Sequence, residues 1–517
     1  STQAKTLFPY TTLFRSALLN YQQMVMDLTG FALANASLLD EATAAAESML
    51  MSTRINPNGG NKYFVATGAF CQTVDVIKTR AKYANIEIVV ADLATFNPKD
   101  YYGIFVQNPD VYGRIQDYTE TIRKFKQDNP QLVVTMGCDI LSLVLFKAPA
   151  AQGADIAIGT TQRFGIPLGF GGPAAAYMAT TDSNKRNMPG RIIGVSTDSQ
   201  GKKALRMSLQ TREQHIRREK ATSNICASQV LLANMAAFYA IYHGKNGLTA
   251  IANKIHHLTL ILKKHLSIAG VKCFHDDLVF DTLVISDKNI SAVYDKLLQA
   301  GYLAAKCDNK LFLSLGEKTE VEDIEKIIHC FTDKDVARDK LEAVIIVSDL
   351  EKYKPLYRDD SILSHSVFNS HHSETKMMRY LKYLENKDIS LVHSMIPLGS
   401  CTMKLNAASE LEPVSWPQFA NIHPFTPHEL APGYLEMING LIEQLKAITG
   451  FDDVSMQPNS GAQGEYAGLF AIRRYLHSIN EGHRNICLIP RSAHGTNPAT
   501  AQMMGMEVVI VACDDKG

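Results

Sequence analysis

What this sequence lacks narrows its function before any motif is read. Its nine cysteines are scattered from Cys71 to Cys513, odd in number and without a CxxC pair. That pattern excludes a disulfide framework and a thiolate metal site, and it points to reduced thiols in a cytosol-like compartment. The histidines His365, His371, His372 and His393 are too loosely placed to suggest a metal either. An excess of one charge is missing too: Lys plus Arg and Asp plus Glu both count 52, so no net field recruits nucleic acid or an anionic membrane. Long apolar runs are absent, since the most apolar, Val230 to Tyr242, is broken by Asn234 and is too short to span a bilayer. No signal peptide is visible.

What is present is ordinary globular material: 517 residues, 46% hydrophobic and 20% charged, enough for large cores and several domains. Short apolar runs at 63–66, 86–90, 103–107, 131–136, 154–159 and 174–180 alternate with helical patterns, which predicts a largely parallel sheet. The spacing of Ile115, Tyr118, Ile122 and Phe125 predicts one crossover helix over 114–128. From Gly247 the pattern changes to a helix, a strand, a helix, a strand and a helix ending near Phe331, the signature of a smaller α+β domain. The expected organisation is a large α/β domain over 17–246, a small α+β domain over 247–335, a linker over 336–425 and a further α/β unit over 426–517. The stretch Thr6 to Ser16 (TLFPYTTLFRS) resembles the translation of a common sequencing adapter, so residues 1–16 are set aside as artefactual.

The chemistry concentrates between Met456 and Ala499. Pro458, Asn459, Ser460 and Gly461 form a breaker cluster before a helix over 462–478 with apolar Ala467, Leu469, Phe470, Ile472 and Leu476. Bare amides at a helix start suit a phosphate, and Ser460 adds a hydroxyl; an ordinary turn fits the same spacing. An apolar strand at 485–489 then runs into Pro490, Arg491, Ser492, Ala493, His494 and Gly495, placing His494 at a strand's C-terminal end, where open α/β sheets bind ligands. There an imidazole can stack on a flat cofactor or move a proton, or it can be a loop histidine satisfied by backbone.

MQPNSGAQGEYAG (456–468), PRSAHGTNPATAQMMGM (490–506), HSMIPLGSCTMKLN (393–406), RFGIPLGFGGP (163–173) and ALRMSLQTREQHIRREKATSNIC (204–226) together resemble the glycine decarboxylase family, the P-proteins of the glycine cleavage system. The resemblance runs from about Ala17 to the last residue. It implies an α/β fold of the fold-type I pyridoxal-phosphate class, similar to aspartate aminotransferase, built as two tandem homologous modules of which the second is incomplete here. It implies pyridoxal 5'-phosphate as cofactor and no metal. Ser460, Gly461, Ala462 and Gln463 would hold its phosphate, His494 would stack on its ring as the catalytic residue, and Thr496 would join the cofactor site. Asn497, Ser400, Cys401 and Thr402 would line the substrate pocket; by themselves Ser400 to Thr402, and Thr496 with Asn497, also read as tight turns.

The chain repeats itself. LTGFALANASLLDEATAAA (28–46) and ITGFDDVSMQPNSGAQGEYA (448–467) share an opening and a helix-after-turn pattern, and NIEIVV (85–90) parallels GMEVVI (505–510), with one offset of 420 residues at both places. A repeat this long means duplication of a whole module. The copies are unequal, because Asp40 and Glu41 stand where the second has its phosphate cup, and the first has no histidine at the strand end. In the family a lysine precedes the glycine-rich run that resembles RFGIPLGFGGP; here that position is Gln162, whose amide cannot form a Schiff base. The first copy is therefore expected not to bind cofactor. Arg163 and the run Arg212, Arg217, Arg218 and Lys220 invite an anion-site reading, but a solvated or salt-bridged face, in the first copy or at its contact with the other one, is the expectation.

The resemblance implies glycine as substrate, transfer of its aminomethyl group to the lipoyl arm of the H-protein, and a homodimer when intact. It places the protein in the cytoplasm of a bacterium or the mitochondrial matrix of a eukaryote. The chain by itself is expected to be inactive, with the Schiff-base lysine beyond residue 517. Two alternatives stand: a non-catalytic scaffold or regulatory half-subunit, against which the open strand edge near Gly517 argues, and another fold-type I pyridoxal-phosphate decarboxylase or aminotransferase, against which the coincidence of GSCTMK with SAHGTNPA argues.

Overall fold

A computed structural model describes residues 12–208, 217–221, 223–225, 229–287, 289–342, 347–387 and 407–514. Its centre is a seven-stranded sheet made of the apolar runs. In chain order the strands are β1 (Leu33–Ala34), β2 (Lys62–Ala66), β3 (Glu87–Ala91), β4 (Gly103–Asn108), β5 (Val133–Cys138), β6 (Ile156–Thr160) and β7 (Ala176–Thr180), and across the sheet they run β1-β7-β6-β5-β4-β2-β3. The five from β2 to β6 are parallel; β7 returns antiparallel to β6, and the short β1 pairs antiparallel with β7. The predicted largely parallel sheet is thus present, with an antiparallel edge.

Every residue of β4 and β5 is buried because both faces are covered. The period of two decides which face each side chain joins. Phe64, Ile104, Val106, Val134 and Met136 meet Tyr21, Met24, Val25 and Leu28 of α1 (Thr12–Thr29) in one core. Tyr63, Val65, Phe105 and Val133 meet Ala45, Met49 and Ile77 from α2 (Glu41–Ile55) and α3 (Cys71–Ala81) in the other. Each of these large side chains contributes about 1.5–3 kcal/mol by leaving water.

One expectation fails locally. The crossover helix α4 spans Thr119–Asp128, not 114–128. Asp110 is the reason: its carboxylate accepts from the Tyr112 and Arg114 amides (2.9 and 3.0 Å) and from the Arg114 side chain, holding that stretch out of helix. Arg114 then bridges to Val279, and the Ile115 amide donates to the Leu278 carbonyl, so residues whose spacing looked helical join the sheet to the following α+β unit.

That unit begins with α5 (Val230–Ile268), which breaks at Gly244, where φ is +60°. A Cβ there would fall 2.6 Å from His372 Cε1 and 2.7 Å from the Phe368 carbonyl, so only glycine lets the following chain cross so closely. Three antiparallel strands follow, β8 (Thr282–Ser286), β9 (Ala305–Cys307) and β10 (Lys310–Ser314), in the order β8-β10-β9. They are covered by α6 (Ile290–Gln299) and α7 (Val321–Thr332), the latter started by a capping box between Glu320 and Asp323.

The C-terminal part repeats the opening of the first. Helix α8 (Gly461–Ser478), strand β11 (Ile486–Pro490), helix α9 (Thr496–Met503) and strand β12 (Glu507–Val511) follow one another as α2, β2, α3 and β3 do, and β11 pairs in parallel with β12. The helices Glu41 and Gly461 open, like the strands Glu87 and Glu507 open, lie 420 residues apart. The two units meet along a seam where Tyr83 packs edge-on against Phe470 (5.7 Å) and the Arg80 guanidinium lies 4.8 Å over the Tyr466 ring.

Candidate functional site

Ser460 is the N-cap of α8. Its backbone is extended and its hydroxyl accepts from the Gln463 amide at 3.2 Å. The hydroxyl credited above to a phosphate is therefore used to start the helix, and helix geometry gives the Gly461 and Ala462 amides no partner within α8. Ser460 and Gln463 are half-buried, Gly461 is exposed and Ala462 is buried. The result is an amide-lined helix start at the positive end of an eighteen-residue dipole.

His494 sits in the turn between β11 and α9. The Thr496 amide donates to its Nδ1 (3.2 Å) and the Thr496 hydroxyl lies 2.9 Å from the same atom, so the neutral ring carries its proton on Nε2. Thr496 is buried, Asn497 half-buried and the imidazole exposed. The two motifs converge. Helix α8 packs directly on α9, the helix that follows the histidine, and Glu465, in the second turn of α8, has its carboxyl pushed above the ordinary range by burial.

Convergence depends on the first unit. Asn224 is fully buried, and its Nδ2 donates to the Ala462 carbonyl (3.1 Å) and to Thr500 Oγ1 (3.2 Å), tying the helix with the cup to the helix that follows the histidine. Arg218 donates to the Ala493 carbonyl (3.0 Å), and Asn459 donates to Asp40 Oδ2 (3.1 Å). Of these three roles, only a place for Arg218 at the contact between the copies was among the expectations. The only signal was that Arg218 and Asn224 lie in the 204–226 segment that carries the resemblance. Ser400, Cys401 and Thr402 lie outside the described residues.

The counterpart in the first unit is built for the opposite charge. Asp40 caps α2, accepting from the Thr43 amide (2.7 Å) and the Thr43 hydroxyl (3.0 Å), so a carboxylate fills the place of a bound anion. Beside it Glu41 is raised to about 8 by burial and by the neighbouring Asp139 and Asp40 charges, and it is a neutral acid at pH 7. Gln162 lies just past β6, and its amide donates to the Pro167 carbonyl (3.3 Å). Arg163 pairs with Asp139 (3.1 Å) and with Asp281 just before β8, over the Phe280 ring. The expected salt-bridged role of Arg163 is present; Arg212 lies outside the described residues.

Among the described residues no cluster of histidine, cysteine or carboxylates could hold a metal, and no helix is long and apolar enough to cross a membrane. The two cavities found along the seam do not include the helix start or His494: one of about 740 Å³ is lined by Lys82, Tyr83, Arg473, Arg474 and His477, and one of about 260 Å³ by residues around Arg54 and Arg80.

Comparison with known proteins adds an independent measure. The family model described as the glycine cleavage system P-protein matches residues 14–331. The chain is 52% identical over 508 residues to a glycine dehydrogenase (decarboxylating) of Photobacterium profundum, covering 97% of this chain and 52% of that one. It is 54% identical over 502 residues to the protein of that name from Chromobacterium violaceum, with the same coverage of 97% and 52%. The chain thus spans about half the length of the curated relatives it matches. Among solved structures, a crystal structure of glycine decarboxylase (P-protein) of the glycine cleavage system, in inhibitor-bound form, aligns with a TM-score of 0.58 at 28% identity, over 64% of this chain and 79% of that one.

Proposed function

Because the chain belongs to the glycine cleavage system P-protein family, we propose that it carries the phosphate cup and ring-stacking histidine of a glycine dehydrogenase (decarboxylating), joined to a first module that binds no cofactor. The modules divide as a large domain over 17–246 and a small one over 247–335, a connection over 336–425, and the start of the cofactor module over 426–517. The whole protein takes glycine, releases its carboxylate as CO₂ and passes the aminomethyl group to a lipoylated H-protein. It works as a homodimer in the cytoplasm of a bacterium, in keeping with its bacterial relatives.

Pyridoxal 5'-phosphate, when bound, supplies the electron sink for decarboxylation. The residues here fit its phosphate and ring. Gly461 and Ala462 offer amides to the phosphate, Ser460 and Gln463 hold the helix start in shape, and Thr496 fixes His494 by its Nδ1 so that the imidazole face can stack. Asn497, with Ser400, Cys401 and Thr402, borders the substrate. Gln162 offers no amine, and the covalent lysine belongs to the part of the relatives' length that the chain does not span. The chain alone is then inactive.

The observation that carries this reading is the joining of the Ser460-capped helix start to α9, the helix that follows His494, through Asn224. Its test is an absorption titration with pyridoxal phosphate, followed by borohydride reduction and peptide mapping. Reversible binding that His494→Ala weakens, with no lysine fixed, is expected. Absence of binding sinks the cup. Stoichiometric labelling of one lysine places the covalent site within the chain and overturns the inactive reading.

A further inference from the structure

The smaller seam cavity, about 260 Å³, lies between α2 and α3 of the first unit and the C-terminal end of α9. Its lining includes Arg54, Arg80, Lys220, Thr53, Tyr83 and Gln502. Three of these six are cations, and no aspartate or glutamate is among the described residues that line it.

The cations are short of partners. Arg54 donates from Nη2 to the Asn187 carbonyl (2.9 Å), and Arg80 donates from Nη2 to Glu47 Oε1 (2.5 Å) while its face covers Tyr466. Each guanidinium has five N–H donors. The Nε of both arginines and the hydroxyl of Tyr83 are buried with no hydrogen-bond partner, although Arg80 is only 5% exposed. Glu47 answers one of the three charges: it is a single carboxylate outside the cavity lining, whose Oε1 takes both Arg80 and the Ser223 hydroxyl (2.8 Å) while its Oε2 is buried without a partner. Burial holds the Arg54 guanidinium below its usual range even with Glu47 opposing. Buried cationic donors left this way are costly, and proteins satisfy them with an anion.

We infer that this cavity is a binding site for a small tetrahedral oxyanion, phosphate or sulfate, held by the Arg54 and Arg80 guanidinium groups and Lys220. Guanidinium forks match such oxygens two at a time, and Lys220 contributes a point charge at the mouth. Because the site's walls come from both units, an anion bound there fastens the second unit to the first. It is separate from the cup at the start of α8 and does not rest on the proposed reaction.

The test is a titration of the full chain with sodium sulfate, and in parallel with sodium phosphate, at ionic strength held constant with sodium chloride, reading the unfolding temperature. A saturable rise is expected with both oxyanions and none with chloride. Lys220→Gln, at an exposed position where folding is unaffected, is expected to weaken the apparent sulfate affinity about tenfold, and Arg54→Gln at least as much, the share of a charge-assisted hydrogen bond. No saturable rise in the unaltered chain overturns the inference. So does an unchanged affinity in both variants, because both leave the α8 start intact and the anion would then be bound there.

Discussion

Two helix starts 420 residues apart share a backbone and differ in a side chain. Asp40 caps α2 and Ser460 caps α8, each accepting from the amide three residues on. Both are good caps, so helix stability does not distinguish them. Charge does. At α2 the carboxylate of Asp40, backed by Glu41 and Asp139, occupies the region where the helix dipole would attract an anion. At α8 a neutral hydroxyl leaves that attraction in place. On the proposed reading the first module keeps its fold without a ligand, and it braces the second through Asp40, Arg218 and Asn224.

The units differ also in burial, which gives the largest expected effect. Phe64 in β2 is 1% exposed, whereas Leu488 in β11, on the matching strand, is 67% exposed. Phe64→Ala should cost about 3–5 kcal/mol by leaving a cavity, and Leu488→Ala no more than about 0.5 kcal/mol, by urea unfolding. Equal costs would mean that the second unit packs in solution as the first does.

Glu41 supplies the next effect. Its folded-state value of about 8 lies above its ordinary one, so the folded chain holds a proton that the unfolded chain has released. Stability should therefore fall as pH rises from about 4.5 toward 8. Glu41→Gln should remove this slope and add on the order of 2 kcal/mol at pH 7, as read from unfolding midpoints across that window. An unchanged slope would mean that Glu41 is ionised and that the first cup is more negative still.

Breaking the brace is a smaller change. Asn224→Ala leaves the Ala462 carbonyl and Thr500 without their shared donor and should cost about 1–2 kcal/mol. It should also raise hydrogen exchange at the start of α8 more than in β4, a pattern that a general loss of stability would not produce. The smallest effect comes from exchanging the caps. Ser460→Asp keeps the helix but should weaken pyridoxal phosphate binding about threefold to fivefold, the typical reach of a charge at a helix start, while Asp40→Ser should confer none because Gln162 and Glu41 remain. Binding gained by Asp40→Ser would show that one side chain alone separates the copies.

Much of the sheet was legible because buried parallel strands are short continuous apolar runs, and those at 63–66, 103–107 and 131–136 fall on β2, β4 and β5. The start of α4 was not legible, because Ile115 and Tyr118 keep helical spacing while Asp110 uses the backbone around them for another purpose. In the site, the local signals were readable: a breaker cluster before a helix, and a histidine after a strand. The use of the Ser460 hydroxyl as a cap was not, since the same residue suits both roles until the backbone angle is known.

The sequence by itself determined the elements, the duplication and the unequal chemistry of the copies, because propensity, period and residue type act within a few positions or recur at a fixed offset. Only the tertiary structure decided that Asn224 joins Ala462 to Thr500, that Arg163 locks Asp139 to Asp281, and that Arg54, Arg80 and Lys220 face one cavity. These contacts link residues from tens to hundreds of positions apart, and nothing local in the chain records a partner that packing alone brings near.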